Sequence, residues 1–240
     1  MAVDPYSDKP KELLEVSPKG LVPGLKLNNF DSPRALNEST VILEYLEDLA
    51  ATTTKRSLLP PITNPYARAL VRLQCDHVNR ALVPAFFRYL QAQTLDQQME
   101  CEEEFYAALE GLVALFERAE REVLGGGGTG AGGEKKAVAQ SGQGQGLGLG
   151  LWVEGGDLEY ADVMVGPWIF RASNALKHYR GFELPKGAKF EAYTERLFNH
   201  PAFKATCSNE ELYIDFYERY AFNRLKSQIS DAIKSGRGLP

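Results

Sequence analysis

Glu38 and Ser39 stand together at the start of a stretch with the apolar spacing of a helix, which runs from Ser39 to Ala50. A carboxylate such as Glu38 can accept hydrogen bonds from an ammonium group. A serine hydroxyl and main-chain N–H at a helix N-terminus can hold a carboxylate. Both residue types are also favoured at ordinary helix starts. Taken alone, the pair predicts either a ligand contact or a simple helix cap.

Other chemically active side chains are scattered. The cysteines and histidines are widely separated along the chain, at Cys75, Cys101, Cys207, His77, His178 and His200. An odd number of cysteines without a C-x-x-C pattern argues against a disulfide framework, and Cys75 lies in a helical pattern typical of a small core residue. The histidines have no convergent ligand spacing, so we expect no metal site.

The first part of the sequence predicts short alternating elements. A helix over 10–16 is followed by a strand over 21–27, a turn at Asn28–Asn29, a strand over 34–36 and the helix that begins at Ser39. A proline-rich connection at 59–61 then leads into a strongly helical region. The order of elements indicates a small α/β unit followed by an all-α unit.

The helical region shows several amphipathic runs. We predict helices over 66–93, interrupted at Pro84, and then over 100–124, 160–178, 191–198, 201–207 and 210–220. Between them, residues 125–150 are rich in Gly, Gln and Ser, which predicts a disordered surface loop. This loop lacks the G-x-x-x-x-G-K-[ST] pattern of a phosphate-binding loop. The tail through Pro240 is polar and is expected to be loose.

Composition narrows the class of protein. The chain has 240 residues, 44% hydrophobic content and a net charge of -5. No apolar run approaches the roughly 18 residues of a membrane span, and no signal peptide is apparent. We therefore expect a cytoplasmic protein without membrane or nucleic-acid partners, in which an acidic substrate would need a local positive site.

Gly20-Leu21-Val22-Pro23, with Glu38-Ser39 beginning 15 residues after Pro23, resembles the glutathione transferase superfamily. In that family the Val–Pro bond is cis and the residue before proline offers its backbone to the peptide ligand. The resemblance implies an α/β plus all-α chain. A partial thioredoxin-like domain would span 1–54, and an all-helical domain would span 62–240 with the glycine-rich insert at 125–150.

The resemblance also implies a glutathione site. Val22 and Pro23 would bind the cysteinyl unit, Glu38 and Ser39 would bind the γ-glutamyl group, and Lys9 would reach the glycine carboxylate as in omega-like members. Lys9 could equally be a solvated surface residue. Glutathione would be a substrate, together with a small electrophile or a disulfide, and a homodimer is expected.

Similar signatures occur in the helical region. Tyr160-Ala161-Asp162, followed by Gly166-Pro167-Trp168 and Arg171, resembles the helix-start signature of the family and the Pro–Trp segment of omega-like members. The ending from His200 to Ala221 also resembles omega-like members, particularly fungal ones. Glu159 stands where the family usually has Ser or Thr, which argues against a reciprocal capping box and makes Asp157 the alternative cap. Trp168 would either line the second-substrate pocket or belong to the core.

No catalytic residue is carried over from the family. The omega-like catalytic cysteine would precede the segment that corresponds to 3–6, so we expect it to be absent here. The explanations are a misplaced start codon, a natural truncation or a rebuilt noncatalytic domain. The functional hypothesis is glutathione-dependent thiol transfer or conjugation. The alternatives are a noncatalytic scaffold that holds a protein partner, and a helical bundle in which the Val–Pro motif is accidental.

Overall fold

A computed structural model describes residues 9–54, 56–125 and 146–224. The chain divides into two compact units, Met1–Ser57 and Leu58–Pro240. Each unit has its own secondary structure.

The first unit contains two helices and a hairpin in the predicted order. They are α1 (Lys11–Val16), β1 (Gly24–Leu27), β2 (Arg34–Asn37) and α2 (Ser39–Thr53). The two strands are antiparallel, with Gly24 opposite Asn37 and Leu27 opposite Arg34. The first strand is three residues shorter than predicted at its beginning. Proline at position 23 has no N–H to donate, which favours a strand that starts after it.

The core of the first unit is small. Of its described apolar side chains, Ile42 alone is buried, and Ser17 and Glu47 are buried polar residues. Apolar side chains on α2, including Val41 and Leu49, remain about half exposed. Because buried apolar surface is the main favourable term in folding, this unit has little of its own stabilisation.

The second unit is helical in its described parts. Its helices are α3 (Pro65–His77), α4 (Val83–Gln91), α5 (Leu95–Leu124), α6 (Tyr160–Arg171), α7 (Lys177–Arg180), α8 (Ala188–Asn199), α9 (Pro201–Thr206) and α10 (Glu210–Ala221). Apolar residues at helical spacing along α3, α4 and α5 are buried, as expected for amphipathic helices. They include Leu70, Val71, Phe86, Phe105 and Leu112.

Two predicted long helices are interrupted by π-helical turns. The helix predicted over 66–93 changes at Val78–Leu82, and Pro84 is the second residue of the helix that follows. Proline cannot continue the regular helical hydrogen-bond pattern, so the predicted interruption is confirmed. The helix predicted over 160–178 changes in the same way at Ala172–Leu176, and the sequence holds no proline there to indicate it. This second interruption was not predicted.

Helix α5 begins five residues earlier than the predicted start at Glu100. Thr94 is its N-cap and forms a capping box with Gln97, in which the Gln97 N–H donates to the Thr94 hydroxyl over 3.3 Å. The Thr-x-x-Gln pattern is a sequence signal for a helix start. The apolar periodicity becomes clear only further along the helix, so periodicity alone places the start too late.

The predicted start of the glycine-rich loop, 125–150, agrees with the end of α5 at Leu124. Its predicted end was wrong, because Leu149 and Gly150 are buried. Leu149 packs with Leu70 and Ala119 because the glycines beside it adopt positive φ angles that turn the chain inward. Residues 126–145 of the predicted loop, and the predicted loose tail from 225 onward, lie outside the described residues.

The expectation about the start of α6 was also wrong. Glu159 and Asp162 do form a capping box, in which the Glu159 N–H donates to Asp162 Oδ2 over 2.9 Å. Asp157 does not replace it, since its carboxylate accepts from the Leu158 N–H and faces His200. A glutamate can serve in the capping box because its carboxylate, like a serine hydroxyl, accepts from main-chain N–H groups.

No helix within the described ranges is long and apolar enough to cross a membrane. Within those same ranges, no cluster of three or more His, Cys, Asp or Glu side chains has a geometry suited to a metal ion.

Candidate functional site

Val22 and Pro23 form an accessible turn between α1 and the hairpin. Their peptide bond is cis, as the sequence resemblance implied, and Val22 is 78% exposed. Over the described ranges, neither the N–H nor the C=O of Val22 has a hydrogen-bond partner. Backbone groups in solvent without internal partners are free to pair with an extended peptide.

The strand register brings the two sequence motifs to one end of the hairpin. Gly24 pairs with Asn37, so Pro23 and Glu38 are the residues immediately beyond the last paired positions. In an antiparallel pair, residues opposite each other on the two strands lie a few ångströms apart. The hairpin therefore unites the Val22–Pro23 turn with the start of α2, although 15 positions separate Pro23 from Glu38 in the sequence.

Glu38 has an unusual backbone conformation and an unused carboxylate. Its φ is 70° and its ψ is 115°, in a region that residues with a side chain rarely adopt. The carboxylate makes no capping hydrogen bond to α2, and it has no other partner in the described part of the chain. An ordinary capping role thus does not account for this side chain.

Ser39 is the first residue of α2 and is exposed. The first N–H groups of a helix have no partner within the helix, and they carry the positive end of its dipole. With the Ser39 hydroxyl beside them, these N–H groups form a site suited to a carboxylate. The Glu38 carboxylate next to it is suited to an ammonium group.

Lys9 is held against the loop that leads to the Val22–Pro23 turn. Its Nζ donates to the main-chain oxygen of Lys19 over 2.9 Å. Gly20, with φ +63°, makes room for it, because a Cβ there would lie 2.2 Å from Lys9 Cδ. Ser17 is buried and accepts a hydrogen bond from the Leu21 N–H over 3.1 Å, which fixes this loop. The sequence did not indicate the roles of Ser17 and Gly20.

Trp168 belongs to the second unit and is partly buried. Its ring packs edge to face with Phe86 and Phe87, at centroid distances of 5.6 and 5.8 Å. The Arg171 guanidinium lies over the ring, 4.7 Å from its centroid. Trp168 therefore lies at the border of the core, with the Arg171 guanidinium over its ring. The sequence did not assign a role to Arg171.

None of the three cysteines has an environment that activates a thiol. Cys75 is buried. Burial raises the pKa of Cys101 and of Cys207, so both thiols are protonated at neutral pH. All three lie in the second unit.

Comparison with known proteins supports the resemblance. Residues 2–49 match the family described as the glutathione S-transferase N-terminal domain. A probable glutathione S-transferase of Coccidioides immitis (strain RS) is 39% identical over 89 residues, which are 30% of this chain and 38% of that protein. The chain thus matches well under half the length of that relative.

Solved structures extend the likeness over most of the chain. Glutathione transferase Omega 3C from Trametes versicolor superposes with a TM-score of 0.61 and 28% identity, over 92% of this chain and 78% of that one. The N-terminal part of the chain matches the glutathione S-transferase N-terminal domain, and the chain has the fold of the glutathione transferase superfamily. A second member, rice GST1 solved in complex with glutathione, gives a TM-score of 0.62 and 25% identity, over 88% of this chain and 81% of that one. The superfamily's thioredoxin-like unit and helical unit are those described above.

Proposed function

We propose that this chain binds glutathione through Val22, Pro23, Glu38 and Ser39, with Lys9 as an additional contact. The observation that carries the proposal is the strand register, which joins an exposed backbone edge to an uncommitted carboxylate and a helix N-terminus. Glutathione offers the complementary groups: a peptide backbone, an ammonium and two carboxylates. Each charged hydrogen bond is worth about 1.5 to 3 kcal/mol.

Lys9 is assigned to the glycine carboxylate of glutathione. Its ammonium uses one donor on the Lys19 oxygen, and a lysine ammonium has three donors. The remaining donors can reach a ligand without loss of the existing hydrogen bond. The anchored aliphatic chain also lowers the entropy cost of ordering the side chain when the ligand binds.

The chemistry that we propose for the protein is omega-like thiol transfer or conjugation with a small electrophile or disulfide. Support comes from the likeness to the Trametes versicolor Omega protein and from the Pro167–Trp168 segment. Trp168 would line the pocket for the second substrate. Thiol transfer requires a reactive thiolate, and the three thiols of this chain are not assigned that role.

Calorimetric titration with glutathione tests the proposal. We expect the 240-residue chain to bind glutathione, Ser39→Ala and Glu38→Gln to weaken binding at least about tenfold, and Ser32→Ala to leave it unchanged. Ser32 is a matched control because it is an exposed serine in the turn between the strands. Absence of binding at millimolar glutathione, or equal loss in the Ser32 control, would contradict the assignment of the site.

A noncatalytic scaffold is the second candidate function. The observation in its favour is that burial keeps the Cys101 and Cys207 thiols protonated while Cys75 is buried. This candidate predicts glutathione binding without turnover in a glutathione–disulfide exchange assay, together with a stable complex with a protein partner. Turnover by the purified chain would favour the enzyme instead.

We also propose that the protein forms a homodimer. Val41, Leu46 and Leu49 of α2 remain 43–50% exposed, which is unusual for three apolar side chains on one helix of a monomer. A second copy is one way to cover such a surface. Sedimentation equilibrium of the wild type and of Leu46→Glu with Leu49→Glu tests this: the wild type should sediment as a dimer and the variant as a monomer.

A further inference from the structure

Ser17 ends α1 and is bound into the fold through its N–H, its C=O and its hydroxyl. The N–H donates to the Leu13 oxygen over 2.7 Å, the C=O accepts from the Gly20 N–H over 2.7 Å, and the hydroxyl accepts from the Leu21 N–H over 3.1 Å. The residue is 1% exposed. Because removing the acceptor of a poorly solvated N–H costs free energy, the hydroxyl fixes the position of the Leu21 N–H.

The Leu21 N–H in turn sets the direction of the next peptide group. Val22 precedes a proline, which restricts it to extended conformations. Neighbouring N–H groups of an extended chain point to opposite sides. Since the Leu21 N–H points to the buried Ser17, the Val22 N–H points outward, in agreement with the 78% exposure of Val22. Ser17 therefore selects which peptide group faces solvent.

Gly24 fixes the other side of the Val22–Pro23 turn on the same end of α1. A Cβ on Gly24 would lie 2.8 Å from Val16 Cγ2 and 3.7 Å from the Ser17 Cβ, so the start of β1 packs directly on these residues. The exposed turn thus lies between two residues that α1 holds in place, Leu21 and Gly24. A turn that is ordered before a ligand arrives lowers the entropy cost of binding.

Lys9 is anchored on the same loop. Its Nζ donates to the Lys19 oxygen over 2.9 Å, and Lys19 lies between Ser17 and Leu21 in the sequence. A change in the conformation of this loop would therefore move the Lys9 ammonium together with the Val22 peptide group.

We propose that Ser17 is a positioning residue of the glutathione site, which orients the main chain for the cysteinyl unit and Lys9 for the glycine carboxylate. The proposal rests on the proposed function. Among the described residues, no hydrogen bond joins the loop over 17–21 to Glu38 or Ser39, so the γ-glutamyl contacts should not depend on Ser17. Ser17 acts through the loop and does not touch the ligand, because its side chain is buried.

Calorimetry with two thiol peptides tests this role. γ-Glutamylcysteine lacks the glycine carboxylate, so it uses the Val22 edge without Lys9. We expect Ser17→Ala to weaken γ-glutamylcysteine about fivefold and glutathione about twentyfold, and Lys9→Met to weaken glutathione alone. A merely structural role of Ser17, which lowers the amount of folded protein, would reduce the apparent affinity for both peptides by the same factor.

Double substitutions separate the two ends of the site. Ser17→Ala and Lys9→Met should be non-additive for glutathione binding, because both remove the same contact, whereas Ser17→Ala and Ser39→Ala should be additive. Equal losses for the two peptides in Ser17→Ala, or additivity of Ser17→Ala with Lys9→Met, would overturn the inference.

Three further variants serve as controls. Ser17→Thr keeps the hydroxyl and should restore most of the affinity, while Ser17→Cys has a similar size but a weak acceptor and should behave as Ser17→Ala does. If Ser17→Ala folds poorly, equal glutathione affinities of the threonine and cysteine variants would contradict the proposal. Ser173→Ala removes the hydrogen bond of another half-buried serine, to the Phe170 oxygen at 2.8 Å, and should leave both affinities unchanged.

Failure of this inference is distinguishable from failure of the glutathione proposal. A chain that loses glutathione affinity in Ser39→Ala but not in Ser17→Ala retains the proposed function and loses this role for Ser17. A wild type that binds neither peptide at millimolar concentration loses both.

Discussion

Glu38 combines two properties at the residue scale that rarely occur together. Its backbone lies at φ 70°, ψ 115°, and its carboxylate has no partner among the described residues. A non-glycine residue in a sparsely populated region costs of order 1 to 3 kcal/mol. Glycine would avoid this cost, so the presence of glutamate agrees with a role for its carboxylate outside the fold.

Replacement of Glu38 by glycine should separate stability from binding. We expect Glu38→Gly to raise the free energy of unfolding by about 1 kcal/mol, because glycine adopts positive φ readily, and to weaken glutathione at least about tenfold. Urea denaturation and calorimetry measure the two effects. A variant that is less stable than wild type would show that the carboxylate supports the fold rather than a ligand.

Asp162 is a fully buried carboxyl group. Burial raises its pKa to about 7, against the hydrogen bonds that its carboxylate accepts from the Glu159 and Leu151 N–H groups. Since the pKa in the folded state exceeds the unfolded value of 3.8, the folded state binds the proton more tightly. The contribution of Asp162 to stability therefore declines as pH rises from about 4 to about 7.

Asp162→Asn should remove this dependence. The asparagine oxygen can still accept both main-chain hydrogen bonds, and it does not titrate. Relative to wild type, the variant should gain stability as pH rises, with a slope approaching 1.4 kcal/mol per pH unit, as measured by urea denaturation between pH 5 and pH 8. A constant difference between the two proteins over this range would mean that Asp162 does not titrate there.

At the scale of elements, the loop between α1 and β1 is shaped by Gly20. Its φ of +63° and the closeness of Lys9 both require the absence of a side chain. Gly20→Ala should therefore destabilise the protein by about 1 kcal/mol and also displace Lys9, which should weaken glutathione binding.

Gly155→Ala is the matched control for this change. Gly155 has a similar φ of +73°, but a Cβ there would meet nothing within 4 Å. Gly155→Ala should therefore lower the stability of the protein, because alanine disfavours a positive φ, but it should not lower the affinity for glutathione. If both alanine variants bind glutathione as well as wild type does, Lys9 has no part in the site.

The sequence predicted elements best where one signal dominates. Apolar periodicity located the cores of α3, α5 and α10, and the turn residues located the hairpin. The π-helical turn at Ala172–Leu176 escaped prediction because its residues fit an ordinary helix equally well. The high glycine content around Leu149 and Gly150 predicts a disordered loop. It outweighs the weaker signal of the leucines that alternate with these glycines and pack into the core.

The two units of the molecule differ in how much apolar surface they bury. In the described part of the first unit, Ile42 is the buried apolar residue, whereas α4 and α5 bury many, among them Phe86, Leu90 and Phe105. Local stability follows buried contacts, so amides of β1 and α2 should exchange hydrogen faster than those of α4 and α5.

Glutathione should change this pattern in one unit. A ligand stabilises the folded conformation that binds it. Added glutathione should therefore slow the hydrogen exchange of amides near Val22 and at the start of α2. Hydrogen exchange followed by mass spectrometry measures this peptide by peptide. Slowing confined to α5 would place the ligand elsewhere.

The candidate site could be predicted from the sequence only where a short motif specifies it. Val22–Pro23 and Glu38–Ser39 are such motifs, and the hairpin register places them together. The role of Ser17 could not be predicted, because it depends on the burial of this side chain and on the hydrogen bond that it accepts from the Leu21 N–H in the folded loop. Sequence spacing carries no information of that kind.

The carboxylate of Glu159 accepts hydrogen bonds from the N–H groups of Gly146 and Gly150, at 2.8 and 3.3 Å. Alternate glycine amides that converge on one anion form the kind of concavity with which proteins hold phosphate. Here the anion is the Glu159 carboxylate of the same chain, so the anion-binding concavity is already occupied by a side chain. Glu159→Gly would empty it, and added formate would then be expected to restore part of the lost stability.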